Sequence, residues 1–203
     1  SDIKFHYVNQ KNQNGLGDAV LHAKQIVGDD SFAVLLPDDL FFSNVSCLSQ
    51  LIDTYKKTNS SVIAVNKIDI ENIHKYGVIK PGIREYDAIL IDDIVEKPSA
   101  DEAPSDIAVC GRYIFTPLIF DYLESTNFDK SGEIQLTDAI KSLIQDQKVY
   151  ARIYDGEKFD CGSKKGFVHA TIALALRDNS ISKDISQIIK EIIWIFFLNF
   201  SEF

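Results

Sequence analysis

The 203-residue sequence has no methionine, one tryptophan, five prolines and three cysteines, and it is short of basic residues, with 21 Lys and Arg against 30 Asp and Glu. Cys47, Cys110 and Cys161 are odd in number and form no C-x-x-C pair, which excludes a disulfide framework and a zinc site and points to a reducing cytoplasm. His6, His22, His74 and His169 lack ligand spacing and are assigned no role. A net charge of -9 excludes nucleic acid or an anionic membrane as the main partner. Any phosphate must be held by local lysines, amides and metal. The longest clean apolar stretch, 192–198, falls far short of the roughly 20 residues that span a bilayer, and no basic-then-apolar signal opens the chain. A soluble protein with no membrane partner is expected. The missing methionine, with Ser1 closely followed by the strand-like Phe5-His6-Tyr7-Val8, fits a processed initiator or a missing front.

What the sequence does contain is an apolar run that stops at two carboxylates, Phe32-Ala33-Val34-Leu35-Leu36-Pro37-Asp38-Asp39. Five apolar residues without alternation predict a strand buried on both faces, in the middle of a parallel sheet. Ligands of open α/β sheets collect at the carboxyl ends of such strands. One or two carboxylates there suit Mg²⁺, which keeps its other positions for water and substrate phosphate. Pro-Asp-Asp is equally good turn and N-cap chemistry, so the run alone leaves both readings open.

With 45% hydrophobic and 25% charged residues, the chain has apolar material for one substantial α/β core. Helical spacing covers 19–24, 48–57, 118–123, 133–145 and 166–176. Strands are predicted at 5–8, 32–36, 61–65, 109–115 and 149–154, with antiparallel or edge strands at 76–80 and 88–98 and a turn at Pro81-Gly82 between them. The alternation up to residue 66 predicts β-α-β units and a mostly parallel sheet. The tail from Ile185 carries Ile188, Ile189, Ile192, Ile193, Trp194, Ile195, Phe196, Phe197, Leu198 and Phe200, too many apolar residues for a free surface helix. It is expected to bury as a docking or dimer-forming helix in preference to attaching to a membrane.

Further motifs are individually ambiguous. Val95-Glu96-Lys97-Pro98 is a solvated strand end, or an acid for sugar hydroxyls beside an ammonium for a sugar phosphate. Gly132-Glu133-Ile134-Gln135-Leu136-Thr137-Asp138 opens a helix with an acid in its first turn, which ordinary capping explains. Phe159-Asp160-Cys161-Gly162-Ser163-Lys164 sets a carboxylate before a glycine turn and a helix N-terminus, able to present a metal ligand and amide donors. In order with Gln10, Gly15-Leu16-Gly17, Leu36-Pro37-Asp38, Tyr76-Gly77-Val78 and Gly111-Arg112-Tyr113, the set resembles the bacterial UTP-glucose-1-phosphate uridylyltransferases, also called UDP-glucose pyrophosphorylases. The resemblance runs over nearly the whole chain.

It implies a Rossmann-like nucleotidyltransferase fold of the α/β class, a mostly parallel mixed sheet with flanking helices. The implied domain is 1–184, with 185–203 an apolar C-terminal helix or tail. In the implied reaction glucose 1-phosphate attacks the α-phosphorus of UTP, giving UDP-glucose and pyrophosphate with Mg²⁺ as cofactor. By resemblance Gln10 and Gly15 read the uracil edge, Gly77 and Glu96 hold glucose hydroxyls, Lys97 meets the sugar phosphate and Glu133 shapes the sugar pocket. Asp38 and Asp160 are the metal carboxylates, Asp38 and Lys97 carry catalysis, and Asp39 is left to turn chemistry. The family's habit and the tail imply a homo-oligomer. Two departures matter. Asp18 stands where the family usually has His, adding negative charge near an anionic ligand. The family's G-x-G-T-R loop and the lysine after it, which cradle the triphosphate, are not among these residues, so the fold is expected to be incomplete at its N-terminus, with an uncovered strand edge and negligible activity in this polypeptide alone. Two other readings stand beside the enzyme: a non-catalytic remnant that keeps the fold, and a metal-dependent glycosyltransferase that uses a UDP-sugar as donor.

Overall fold

The computed structural model describes residues 3–200, and of 196–200 the backbone alone. The chain divides into two compact units, Ser1–Leu36 with Ser43–Gly156, and Pro37–Phe42 with Glu157–Phe203.

In the first unit, α1 (Leu16–Leu21) and α2 (Lys24–Val27) precede β1 (Phe32–Leu35). Helix α3 (Cys47–Thr58), β3 (Ser61–Lys67) and a 3-10 segment (Ile70–Lys75) follow, then β4 (Gly77–Glu85), β5 (Ala88–Glu96), β6 (Ile107–Phe115), α4 (Ile119–Ser125), α5 (Leu136–Leu143) and β7 (Val149–Ile153). Ser46 caps α3 by accepting from the Ser49 N–H, and Asn59 closes it in the left-handed conformation that its short amide tolerates. The strands make a six-stranded mixed sheet in the order β1-β6-β3-β7-β5-β4, flanked by helices, with α3 on β3, β6 and β7 and α5 on β5 beside α1 and α4. Val62, Ile63, Ala64 and Val65 are wholly buried, so β3 is covered on both faces, as is most of β6.

The sheet corrects several expectations. It is mixed, but not mostly parallel: β3–β7 is the one parallel pairing among the described residues. Strands β1 and β3 do share a direction, as β-α-β alternation predicts, yet β6 arrives later in the chain and inserts between them antiparallel to both. Far from central, β1 pairs with β6 alone among the described residues, and Ala33 and Leu35 are exposed. Its outward side chains are apolar too, which erases the alternation that would have marked an edge in the sequence. No turn forms at Pro81-Gly82. Strand β4 runs through both with shifts of register, which accommodate a proline, and the turn falls at Tyr86-Asp87 with Tyr86 at φ 57°. Residues 5–8 form no strand, and Phe5 and Tyr7 are exposed.

In the second unit, β2 (Asp39–Phe42) pairs antiparallel with β8 (Glu157–Asp160), setting Asp39 opposite Asp160. Helix α6 (Lys164–Ala175), capped by Ser163 accepting from the Gly166 N–H, packs on β8 and touches α7 (Ser182–Phe200). The Arg177 guanidinium stacks 4.9 Å from the Phe42 ring centroid and pairs with Glu157 at 2.6 Å, tying α6's end to the ribbon. The tail is helical, and Ile188, Ile192, Ile193, Trp194 and Ile195 are exposed in the single chain. The side chains of Phe196, Phe197, Leu198 and Phe200 lie outside the described residues. No helix among the described residues is long and apolar enough to cross a membrane.

The first unit's core is aromatic at one end. Phe115 is fully buried, stacks on Tyr113 with centroids 5.3 Å apart and tilts against Phe32 at 6.1 Å, while Phe32 stacks on Phe120 at 4.9 Å. Phe115→Ala is expected to cost about 3–5 kcal/mol, read as a lower urea midpoint at unchanged slope. A midpoint equal to wild type would show that the cluster does not hold the sheet.

Candidate functional site

The stretch between Gln10 and α1 is set by backbone contacts. The Ile134 N–H donates to Asn14 O at 2.7 Å and the Gly17 N–H donates to Ile134 O at 2.9 Å. A Cβ at Gly15 would lie 2.8 Å from Glu133 Cβ, and one at Gly17 2.6 Å from Ile134 O, so both positions require glycine. Gly15 also sits at φ 94°. Gln10 Nε2 donates to Gly15 O at 3.2 Å and to Asp18 Oδ2 at 2.6 Å. Gln10, Gly15 and Glu133, assigned from sequence to base and sugar, therefore belong to one neighbourhood.

Gly77 and Glu96 face each other across β4 and β5. Glu96 Oε2 accepts from Thr137 Oγ1 at 2.6 Å, and Lys97 Nζ stands 3.5 Å from Glu96 Oε1. A Cβ on Gly77 would come within 3.1 Å of Thr137 Oγ1 and 3.3 Å of Glu96 Oε2, so glycine keeps the space beside the carboxylate open. Lys97 is held at φ 44°, its N–H donating to Tyr76 O at 3.0 Å. A non-glycine residue in that region costs on the order of 1 kcal/mol and is typical of ligand-holding positions.

The sequence reading that Glu133 opens a helix is corrected: α5 starts at Leu136, and Glu133 lies in a preceding turn organised by Asp129. Asp129 Oδ1 accepts from the Ser131 N–H at 2.8 Å, the Ser131 hydroxyl at 2.6 Å and the Glu133 N–H at 3.0 Å. An aspartate that accepts from nearby N–H groups builds a turn in competition with a helix, which helical periodicity cannot reveal. These bonds, the Ser131 hydroxyl first, hold the Asp129 carboxyl well below the usual carboxylate range. Gln135 Nε2 bridges Asp129 Oδ2 and Glu133 Oε2 at 2.9 and 3.1 Å. Burial, then the charges of Glu96 and Asp129, push the Asp138 carboxyl up.

In the second unit, Asp38 and Asp160 face a common point. A Cβ on Gly162 would sit 3.1 Å from Asp38 Oδ2 and 3.2 Å from Asp160 Oδ1. The Gly162 N–H donates to Asp160 Oδ1 at 3.0 Å, and the Cys161 N–H donates to Asp38 O at 2.7 Å. Among the described residues no group of three or more His, Cys, Asp or Glu is placed to hold a metal. Two carboxylates nonetheless meet what Mg²⁺ asks of a protein. Asp39 is not the turn residue expected from sequence. It opens β2, is buried, and pairs with Lys158 Nζ at 3.0 Å.

The model of the nucleotidyl transferase family matches residues 1–176. The chain belongs to that family. Within the nucleotidyl transferases it is 45% identical over 186 residues to a UTP-glucose-1-phosphate uridylyltransferase of Staphylococcus epidermidis, covering 92% of this chain and 65% of that protein. A second such enzyme, from Staphylococcus saprophyticus, is 44% identical over 92% of this chain and 64% of its own length. The chain thus spans just under two thirds of these relatives. Among solved structures, a UDP-glucose pyrophosphorylase complexed with UDP-glucose superposes with a TM-score of 0.81 at 40% identity, over 84% of this chain and 65% of that one. A UTP-bound enzyme of the same kind from Acinetobacter baumannii gives 0.82 at 37% identity, over 91% and 64%.

Sequence reasoning missed Thr137, Asp129 and Lys158. Thr137 stood in the quoted motif, four residues after Glu133, but its partner Glu96 is remote in sequence. Lys158 lies opposite Phe41 in the β2–β8 register, a pairing no local pattern shows.

Burial raises the Asp39 carboxyl above its ordinary value, with Lys158 opposing and the charges of Asp38 and Asp160 adding. The folded chain then binds this proton more tightly than the unfolded chain, so this group's contribution to stability falls as pH rises from the ordinary aspartate value through the raised one. Asp39→Asn is expected to flatten that interval of the curve of urea midpoint against pH. Parallel curves for variant and wild type would remove Asp39 as the source.

Proposed function

We propose that the full-length gene product containing these residues is a UTP-glucose-1-phosphate uridylyltransferase, forming UDP-glucose and pyrophosphate. The observation that carries this is the Glu96–Lys97 pair beside Gly77, a carboxylate and an ammonium, the lysine held on unfavourable backbone, next to a space kept open by glycine. The relatives' names supply the substrates. Lys97 holds the phosphate of glucose 1-phosphate, Glu96 accepts from sugar hydroxyls with Thr137 fixing its second oxygen, and Glu133 borders the pocket. Gln10 and Gly15 read the base. The nucleophile is a phosphate oxygen that is already anionic, so no side chain need take its proton. Catalysis is positioning and charge compensation, and Asp38 and Lys97 are its residues.

Asp38 and Asp160 would hold Mg²⁺, which when bound offsets negative charge on the phosphates. The exposed apolar face of α7 supports self-association, the homo-oligomer reading. A reducing, cytoplasmic setting is supported by the odd number and wide spacing of Cys47, Cys110 and Cys161 in the sequence.

Purified full-length protein is expected to release pyrophosphate from UTP plus glucose 1-phosphate. Asp38→Asn should lower that rate by a factor on the order of 100 or more while leaving the melting temperature within a few degrees. UDP release from UDP-glucose in place of pyrophosphate would establish the glycosyltransferase reading, and neither product the non-catalytic one. Separately, Gly162→Ala places a methyl against both carboxylates and should weaken Mg²⁺ binding, titrated calorimetrically, about tenfold or more. Unchanged binding would place the metal elsewhere.

A further inference from the structure

Asp18 is buried; its Oδ2 accepts from the Gln10 side-chain amide at 2.6 Å, and its Oδ1 lies 3.7 Å from His22 Nδ1. Which end of that amide is the donor is decided by its surroundings. Gly15 O and Asp18 Oδ2 can only accept, and they lie 3.2 and 2.6 Å from the same Gln10 atom, so that atom must be Nε2. No hydrogen bond among the described residues engages Gln10 Oε1. The Gln10 amide hydrogen that faces Gly15 O and that carbonyl form an adjacent donor and acceptor, which satisfy each other while no base is present.

Resting on the functional reading above, we propose that Asp18 is a positioning residue for base selection. By accepting one Gln10 hydrogen it locks the amide so that the other stands beside the Gly15 carbonyl. A donor next to an acceptor complements the O4 and N3–H of uracil, or of thymine. Cytosine offers the reverse order, an N4 amino donor beside the N3 acceptor. Turned over, Gln10 would set Oε1 beside Gly15 O, two acceptors that match neither base. Asp18 forbids that state, because two acceptor oxygens would then face each other at hydrogen-bond distance. Asn at position 18 lifts the stronger part of the prohibition, since its amide can donate or accept, and leaves Gly15 O at 3.2 Å as the weaker restraint.

The test compares wild type with Asp18→Asn in the full-length protein, reading kcat/KM for UTP and for CTP with glucose 1-phosphate, and binding of UDP and CDP by calorimetry. The expected result is a UTP-over-CTP preference that falls roughly tenfold in Asp18→Asn. It should arise through the KM for UTP, with the KM for glucose 1-phosphate and the melting temperature unchanged. A preference equal to wild type overturns the proposal, as does a parallel loss for both substrates, which would mark Asp18 as structural. The binding arm separates the two readings. A wild type that prefers UDP to CDP, with the preference lost in the variant, sustains the role of Asp18 even if no UDP-glucose is formed and the functional reading fails. A wild type that binds neither nucleotide overturns both.

Discussion

The backbone approach of residues 14–17 to residues 133–134 is the constraint on which the arrangement of the first unit depends. Two backbone hydrogen bonds, into Asn14 O and out of Gly17 N–H, bind Ile134 to a loop far away in sequence, and the contact is possible only because positions 15 and 17 lack a Cβ. From that junction one direction leads to Gln10 and Asp18, the other through Gln135 to Thr137 and on to Glu96. Residues assigned to base and to sugar are thus positioned from a shared support, and a disturbance at either glycine propagates to both.

The two units solve the problem of holding carboxylates differently. In the first, Asp129 is surrounded by hydroxyl and amide donors that favour its charged form, and Glu96 accepts from the Thr137 hydroxyl. In the second, three aspartates gather at a two-stranded ribbon, where the half-buried Lys158 pairs with Asp39. Asp38 and Asp160 both approach the space beside Gly162, whose N–H donates to Asp160 Oδ1. A ribbon of four residues per strand could not otherwise keep those groups side by side, since like charges directly opposite one another oppose pairing.

Motif order carried most of what could be read in advance. Leu36-Pro37-Asp38, Val95-Glu96-Lys97-Pro98 and Asp160-Cys161-Gly162 each mark the end of an element, where local sequence dictates local geometry, and the structure finds polar groups converging at each. Periodicity failed where a signal depends on neighbours. The apolar outward residues of β1 concealed an edge, β6 intervened between two strands that alternation made adjacent, and Asp129 holds Glu133 in the segment before α5, although helical spacing began at that residue. Asp18 was legible only as an anomaly of charge. Its bond to Gln10, eight residues away, turns that anomaly into a way of fixing a neighbour's orientation.

Lys97 shows what stability and activity ask of the same position. At φ 44° glycine or asparagine would relax the backbone, while lysine adds strain and an exposed, flexible side chain. Selection for thermal robustness alone would therefore drive this site away from its cation, making a protein that folds better and has no ammonium to offer a phosphate. A stabilising library screened without a ligand present would discard the residue early, so the identity found at position 97 among such variants becomes a record of whether they had been made to bind.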